Sequence, residues 1–309
     1  MHSLTAILGP TASGKSELAL AVAERHNGEI VNFDSIQVYR WFRIGAAKLR
    51  EPERRGIPHH LIDILEPNEI FTAGEFARRA RQAIAEICGR GRLPVLAGGT
   101  GFYLRALLDG LFPGPQRDEA LRRRLAARPP ERLHRLLRRL DPAAAAKIHP
   151  HDSPKIIRAL EVTLLARRPI TALFSEGRQK LEGFRILKIG LLPDRNALYD
   201  RINRRTEAMF AAGLVEEVRQ ILAAGYSAEA KPFESHGYRQ ALQHLQGELS
   251  LREAIFYAQR NTRHYAKRQI TWFRREQDVE WYRGFGDDPD LQSRVLERVG
   301  AFLAAAEAA

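Results

Sequence analysis

The sequence predicts an α/β fold, a parallel sheet flanked by helices, with an inserted all-helical subdomain. A glycine-rich loop at residues 9–16 follows a short apolar strand and opens a helix, and further short strands alternate with helices along the chain. Such alternation is typical of a parallel sheet. From Asp118 to Leu181 the pattern is helical, without a convincing strand. We therefore expect an α/β core over 1–114 and 183–309, with an inserted helical subdomain over 115–182.

The loop Gly9-Pro-Thr-Ala-Ser-Gly-Lys-Ser16 matches G-x-x-x-x-G-K-[ST], a pattern that holds phosphate groups. The preceding residues predict a buried strand and the following residues a helix, which is the context that the pattern requires. The helix N-terminus and the Lys15 ammonium supply positive charge, and the Ser16 hydroxyl is placed to hold Mg²⁺. The loop therefore predicts a diphosphate or polyphosphate ligand without choosing between them, and a chance match in a glycine turn is the alternative. The predicted phosphate-binding residues are Gly9, Pro10, Thr11, Ala12, Ser13, Gly14, Lys15 and Ser16.

The charge of the chain indicates a polyanionic partner. The 309 residues carry a formal net charge of +12, mostly from arginine. Nucleic acid is the first candidate, although a GC-rich genome that encodes arginine in place of lysine would give the same excess. The one cysteine, Cys88, allows no intrachain disulfide and no cysteine-based zinc site. With no signal peptide and no apolar run of membrane-spanning length, we expect a cytoplasmic protein without a membrane partner.

Two further strand ends predict a cleft next to the loop. The run Glu29–Asp34 reads as a strand that ends in an aspartate, and Leu93–Ala97 reads as a strand followed by a second glycine turn at Gly98–Tyr103. Open parallel sheets bind their ligands at the carboxyl ends of strands. Asp34 is therefore a candidate site residue, with a turn cap beside Ser35 as the alternative.

The rest of the chain predicts one more early strand and several helices. Pro58–Ile64 reads as a strand whose two histidines are structural rather than a metal pair. In the insert, Ser153 is expected to cap a helix on which Lys155 and Arg158 share a face. A helix capped by Asp194 carries Arg201, Arg204 and Arg205, and Ser250 begins a long helix whose aromatic residues we expect in the core. The insert arginines form either a basic binding surface or a solvated helix face. They are Arg122, Arg123, Arg124, Arg128, Arg132, Arg135, Arg138 and Arg139.

Six motifs in order resemble the bacterial tRNA dimethylallyltransferase (tRNA isopentenyltransferase) family. They are Gly9–Ser16, Asp34-Ser-Ile-Gln37, Gly98-Gly-Thr-Gly-Phe-Tyr103, Lys155-Ile-Ile-Arg-Ala-Leu-Glu161, Gly237-Tyr-Arg239 and Ala266-Lys-Arg-Gln-Ile-Thr-Trp272. The resemblance covers essentially the whole chain. It implies a P-loop kinase-like core and transfer of a dimethylallyl group from dimethylallyl diphosphate to N6 of the adenosine 3′ of the tRNA anticodon, with Mg²⁺ as cofactor. It also implies binding of the anticodon stem-loop of tRNA, and we expect the protein to act as a monomer.

The resemblance also assigns roles to individual residues. Asp34 would be the general base, and Thr11, Lys15, Ser16 and Arg205 would hold the diphosphate and its metal, with Thr11 and Arg205 counted as catalytic. The residues expected to contact tRNA are Asp34, Ser35, Ile36, Gln37, Thr100, Lys155, Ile156, Ile157, Arg158, Gly237, Tyr238 and Arg239. His236 departs from the pattern, because a small or apolar residue is expected before Gly237-Tyr238.

Three other functions use the same features. A small-molecule or nucleotide kinase would use the phosphate loop with ATP. A soluble adenylate prenyltransferase of the cytokinin type would share the loop and the base but would not need an RNA-gripping insert. A non-catalytic RNA-binding protein would keep the basic surface, and Lys15, Asp34 and Arg205 would then be dispensable.

Overall fold

The computed structural model describes residues 1–307 and contains a six-stranded parallel sheet in the order β3-β2-β4-β1-β5-β6. The strands are β1 His2–Leu8, β2 Gly28–Asn32, β3 His59–His60, β4 Leu93–Ala97, β5 Phe184–Leu191 and β6 Val279–Tyr282. The central strand β1 pairs with β4 through Thr5 and Val95 and with β5 through Leu4 and Ile186. All strands run in parallel, so their carboxyl ends lie along the same edge, where loops can bring ligand-binding residues together. The predicted α/β class is confirmed.

Thirteen α-helices lie within the described residues. Their bounds are α1 Lys15–Arg25, α2 Ala73–Gly89, α3 Gly101–Leu108, α4 Glu119–Ala126, α5 Pro130–Leu140, α6 Pro142–Lys147, α7 Ser153–Ala166, α8 Ile170–Phe174, α9 Arg195–Ala211, α10 Leu214–Ala223, α11 Tyr238–Leu245, α12 Leu251–Phe273 and α13 Pro289–Glu307. Asp194 caps α9 by accepting hydrogen bonds from the next turn, and Ser250 forms a capping box with Glu253 at the start of α12, as the sequence predicts. None of the helices in residues 1–307 is long and apolar enough to cross a membrane.

The chain divides into two compact units, Met1–Leu107 with Leu181–Ala309 and Leu108–Lys180. In the first unit, apolar residues of the central strands pack with α1 and α13, including Ile7, Leu18 and Val295. Strands covered in this way read as continuous apolar runs, which explains why β1 and β4 are visible in the sequence. The second unit contains α4–α8. It begins at Leu108 and ends at Lys180, whereas the sequence predicted an insert from 115 to 182.

The core of the helical unit contains a buried carboxylate. Glu161 on α7 is fully buried and accepts hydrogen bonds from the Asp118 backbone N–H, the Arg122 Nε at 3.0 Å and the Arg158 Nη1 at 2.6 Å. Burial raises the pKa of Glu161, but these hydrogen bonds outweigh it and the pKa is lowered. Arg122 and Arg158 therefore stabilise this unit, whereas the sequence alone grouped them with a basic surface. Arg123 and Arg124 are exposed.

Two local predictions were wrong in detail. The predicted strand Pro58–Ile64 is reduced to the two-residue β3, because Leu61 and Asp63 take left-handed conformations with φ of 61° and 54°. The predicted cap of α7 is Asp152 rather than Ser153, since the Asp152 side chain accepts the hydrogen bond from the Lys155 N–H.

Candidate active site at the carboxyl edge of the sheet

The phosphate loop lies between β1 and α1 and is packed closely by a distant segment. Gly14 has φ of 85°, and a Cβ built on it would lie 2.6 Å from the backbone nitrogen of Gly286. The Gly286 N–H donates a hydrogen bond to the Ser13 carbonyl at 2.8 Å. Only glycine therefore fits at position 14, for reasons of both conformation and space. The Ser13 side-chain oxygen is buried without a hydrogen-bond partner among the described residues.

Two cationic side chains of the loop and of α9 face the same cleft. The Lys15 ammonium donates a hydrogen bond to the Pro10 carbonyl at 2.7 Å, and the Arg205 guanidinium donates to the Thr11 hydroxyl. Desolvation lowers the pKa of Lys15 to about 7, with a further lowering from Arg205 and an opposing effect of Asp34. Desolvation and Arg201 lower the pKa of Arg205 to about 10, again opposed by Asp34. Lys15 and Arg205 thus donate to a carbonyl and a hydroxyl rather than to a carboxylate, an arrangement that favours an anionic ligand.

Asp34 follows β2 and has two differently occupied oxygens. Its Oδ1 accepts hydrogen bonds from the N–H groups of Ile36 at 2.8 Å and Gln37 at 3.4 Å. The turn cap considered from the sequence is therefore present. Within residues 1–307 no group donates a hydrogen bond to Oδ2. One carboxylate can thus hold the turn with Oδ1 and keep Oδ2 available as a proton acceptor.

The second glycine turn is attached to the segment that contains Asp34. The Thr100 hydroxyl oxygen accepts a hydrogen bond from the Ser35 N–H at 3.0 Å. A Cβ on Gly98 would lie 2.6 Å from the carbonyl carbon of Phe33, so glycine allows the two strand ends to approach. The cleft that the sequence predicts next to the phosphate loop is therefore present, and the ends of β2 and β4 line it with Asp34 and Gly98.

Helix α12 supplies two site residues that sequence reasoning missed. Gln269, which is buried, accepts from the Thr11 N–H and donates to the Gly99 carbonyl. The Tyr265 hydroxyl faces the side chains of Thr100 and Gln269, and burial together with the charge of Asp34 raises the pKa of Tyr265. The sequence placed the aromatic residues of this helix in the core. Gln269 lies in one of the six motifs. The only further sequence signal that these two residues belong to the site is that they are four positions apart.

A cavity of about 580 Å³ brings together most of the predicted site residues. Those that line it are Thr11, Ala12, Ser13, Gly14, Lys15, Ser16, Asp34, Ser35, Ile36, Gln37, Arg205 and Gly237, and the unpredicted lining residues include Tyr103, Arg201, His236 and Tyr265. Arg201 forms a bidentate ion pair with Asp287, with its Nη1 2.8 Å from Oδ1.

The remaining predicted residues have other positions. Gly9 and Pro10 belong to the loop but do not line the cavity. Thr100 does not line the cavity either, and its hydroxyl oxygen accepts the hydrogen bond from the Ser35 N–H. Tyr238 is fully buried and its hydroxyl donates to Glu217 at 2.6 Å, whereas Arg239 is exposed.

The predicted Lys155–Arg158 segment lies on α7 of the helical unit. Ile156 is fully buried, Lys155 is exposed beside Asp152, and Arg158 is held by Glu161. Of the two charged residues in this segment, Lys155 therefore has the charge that is more accessible to a binding partner.

The fold and the cleft together define a phosphate-loop α/β protein with a carboxylate facing two cations. The family model "IPP transferase" matches residues 37–276. The chain belongs to the IPP transferase family.

Individual relatives cover nearly the whole chain. It is 66% identical to a tRNA dimethylallyltransferase of Solibacter usitatus over 97% of this chain and 99% of the relative, and 56% identical to one of Koribacter versatilis over 95% and 97%. Among solved structures, a tRNA isopentenylpyrophosphate transferase of Bacillus halodurans matches with a TM-score of 0.73 and 39% identity over 99% of this chain and 96% of that chain. A eukaryotic dimethylallyltransferase acting on tRNA matches with a TM-score of 0.87 and 26% identity over 99% and 80%.

Proposed function

We propose that this chain is an enzyme that transfers a dimethylallyl group from dimethylallyl diphosphate to N6 of the adenosine 3′ of the anticodon in tRNA. The observation that carries the proposal is that the Asp34 carboxylate shares one cavity with Lys15 and Arg205 of the phosphate-binding side. The membership of the chain in the IPP transferase family and the names of its relatives support a prenyl transfer to tRNA.

The reaction needs charge stabilisation for the leaving diphosphate and a proton acceptor for the N6 amino group. The bond between N6 and the allylic carbon forms while the carbon–oxygen bond to the diphosphate breaks, and the bonding electron pair leaves with the diphosphate. Lys15, Arg205 and the loop N–H groups offset the charge that develops on this leaving group. The N6 proton moves to Oδ2 of Asp34. This oxygen is free to accept the proton because the hydrogen bonds from the Ile36 and Gln37 N–H groups go to Oδ1.

Magnesium fits the donor set on the phosphate side. In residues 1–307 no group of three or more His, Cys, Asp or Glu residues could hold a metal ion. A metal there would therefore take its oxygen ligands from the diphosphate and from the Ser16 hydroxyl, and Mg²⁺ favours this arrangement of few protein ligands and phosphate oxygens. When bound, Mg²⁺ would neutralise charge on the diphosphate. The Ser13 hydroxyl, which has no hydrogen-bond partner in the described part of the chain, is a further donor for a bound ligand.

RNA binding follows from charge and from the geometry of the target. The net charge of +12 suits the phosphate backbone of an anticodon stem-loop. A base stacked in the loop cannot reach a cavity at the end of the sheet, so the adenosine has to be flipped out of the stack. We propose that the protein acts as a monomer and, because its substrate is tRNA, in the cytoplasm.

The deciding experiment incubates the protein with Mg²⁺ and either labelled dimethylallyl diphosphate or labelled ATP, in the presence of tRNA or free AMP. We expect label in tRNA only with dimethylallyl diphosphate. Transfer from ATP would identify a kinase, product on AMP would identify an adenylate prenyltransferase, and no product with any pair would identify a non-catalytic RNA-binding protein. The Lys15→Ala variant should lose transfer while it retains most of its affinity for tRNA.

A further inference from the structure

His236 lines the cavity without a use in the reaction described above. It lies just before α11, and its ring centroid is 5.3 Å from that of Tyr265 at an interplanar angle of 59°. Within the described residues, no side chain or backbone group makes a hydrogen bond to the imidazole. A half-buried polar ring without a partner, in a ligand-sized cavity, is a candidate contact for the ligand.

The ring of Tyr265 connects His236 to the reacting end of the cavity. The hydroxyl end of Tyr265 faces Thr100 and Gln269, and the charge of Asp34 acts on it. Its ring contacts His236 at the other side. The two rings therefore form an aromatic wall, defined here as His236 and Tyr265, that extends from the neighbourhood of Asp34 along the cavity.

The surroundings of His236 keep its ring uncharged. Burial, together with the charges of Arg268 and Arg239 and with His264, lowers the pKa of His236 to about 4. Lys231 and Glu234 line the same cavity and form an ion pair with each other. At neutral pH His236 thus presents a neutral aromatic surface, which suits a flat heteroaromatic ring better than a phosphate.

We propose that His236 stacks on the flipped acceptor base and, with Tyr265 behind it, holds that base in front of Asp34. The proposal rests on the proposed function, because it assumes that a nucleobase enters this cavity. Stacking of a base on an aromatic side chain tolerates any base but is lost when the base is missing. Asp34 then accepts the proton from the base, and the aromatic wall positions the base.

The test compares binding of two stem-loop RNAs that differ only at the acceptor position, one with adenosine and one with an abasic nucleotide. We expect His236→Ala to weaken binding of the adenosine RNA about tenfold and to leave binding of the abasic RNA unchanged. His236→Phe, which keeps a ring but no N–H, should bind like wild type, and His236→Gln, which keeps a polar group but no ring, should behave like His236→Ala.

A matched control is available on the sheet. His2, at the start of β1, also contacts an aromatic ring, that of Phe184 at 5.7 Å, and His2→Ala should change the binding of neither RNA. Equal losses on both RNAs in His236→Ala, or no loss on either, would overturn the proposal. Retained binding in His236→Gln with loss in His236→Phe would replace stacking by a hydrogen bond and would also overturn it. Wild-type transfer of label to tRNA, measured in parallel, tests the proposed function separately.

Discussion

The side-chain oxygen of Gln269 accepts a hydrogen bond from the backbone N–H of Thr11 at 2.8 Å, although the two residues are 258 positions apart in the chain. The amide of the same side chain donates to the Gly99 carbonyl at 2.8 Å. One carboxamide on α12 therefore holds together the phosphate loop and the second glycine turn. Gln269 is buried, and its hydrogen bond to the Gly99 carbonyl is buried as well, so that carbonyl has no water as an alternative partner.

Replacing Gln269 by Leu should damage both stability and ligand binding. The substitution leaves the buried Gly99 carbonyl unpaired, at a cost of about 1–3 kcal/mol, and removes the partner of the partly buried Thr11 N–H. We expect a lower melting temperature and weaker binding of inorganic pyrophosphate, measured by calorimetry. Gln259→Leu is the control on the same helix, since that side chain is less buried and contacts Asn203 and Glu207 outside the loops. Wild-type pyrophosphate affinity in Gln269→Leu would contradict the bridging role.

Replacing Asp34 by Asn should abolish most activity without unfolding the protein. Asparagine can still accept the hydrogen bonds from Ile36 and Gln37 but cannot act as a base at neutral pH. We expect the single-turnover rate of transfer to tRNA to fall by roughly 10²- to 10⁴-fold at saturating dimethylallyl diphosphate and Mg²⁺. A rate within a few-fold of wild type would leave Asp34 as a turn cap only.

Replacing Arg205 by Ala should slow transfer while the fold is retained. The buried residues of α9 are Leu198, Ile202, Thr206 and Phe210, so the truncation opens no core cavity. Loss of one positioned charge at a leaving group costs about 10²- to 10³-fold in rate. Arg204→Ala is the matched control, because that neighbouring arginine is exposed and does not line the cavity. Equal transfer rates in the two variants would remove Arg205 from the mechanism.

The exposed and the ion-paired arginines of α4 should respond differently to substitution. Arg123 and Arg124 are exposed, and replacing both by Ala should reduce the salt dependence of tRNA binding with little effect on folding. Arg122→Ala removes a partner of the buried Glu161 and should lower the melting temperature as well. The measurements are tRNA affinity over a series of salt concentrations and thermal unfolding. An unchanged salt slope in the double variant would show that these two side chains only face solvent.

Glu29 should make stability depend on acid pH. Burial raises the pKa of this carboxyl, but hydrogen bonds from Arg90 and His60 outweigh burial and lower the pKa to about 2. A lowered folded-state pKa stabilises the protein above the ordinary carboxyl pKa, and this contribution is lost as pH falls toward 2. Glu29→Gln should therefore reduce the free energy of unfolding at pH 7 by about 1.5–3 kcal/mol, the range for a hydrogen bond to a charged group, and flatten its decrease between pH 4.5 and 2.

The control for Glu29 is a partly exposed carboxylate with a similar pKa. Hydrogen bonds from Arg78 and Arg79 also lower the pKa of Glu75 to about 2. Its side chain is 31% exposed, against 2% for Glu29, so solvent screens the interaction. Glu75→Gln should cost clearly less stability at pH 7, and equal losses in the two variants would contradict the importance of burial.

The sequence was sufficient for the features that depend on local patterns. The strand–loop–helix arrangement around residues 9–16, the cap at Asp194 and the capping box at Ser250 were predicted correctly, because each depends on residues a few positions apart. The helices of the insert followed from apolar spacing, and the continuous apolar runs of β1 and β4 followed from burial on both faces of a parallel sheet. The family was also evident, since its motifs occur in order along the chain.

Only the tertiary structure decided which residues of distant segments meet. Gln269 and Tyr265 look like ordinary residues of an amphipathic helix, and they become site residues because α12 packs against the two glycine turns. Arg122 resembles its exposed neighbours in sequence, but the buried Glu161 thirty-nine positions later gives it a structural role. The β3 segment ends after two residues because Leu61 and Asp63 adopt left-handed backbone conformations. No local sequence pattern predicted these conformations. A sequence records periodicity along the chain, whereas burial and hydrogen-bond partners depend on which surfaces the fold brings into contact.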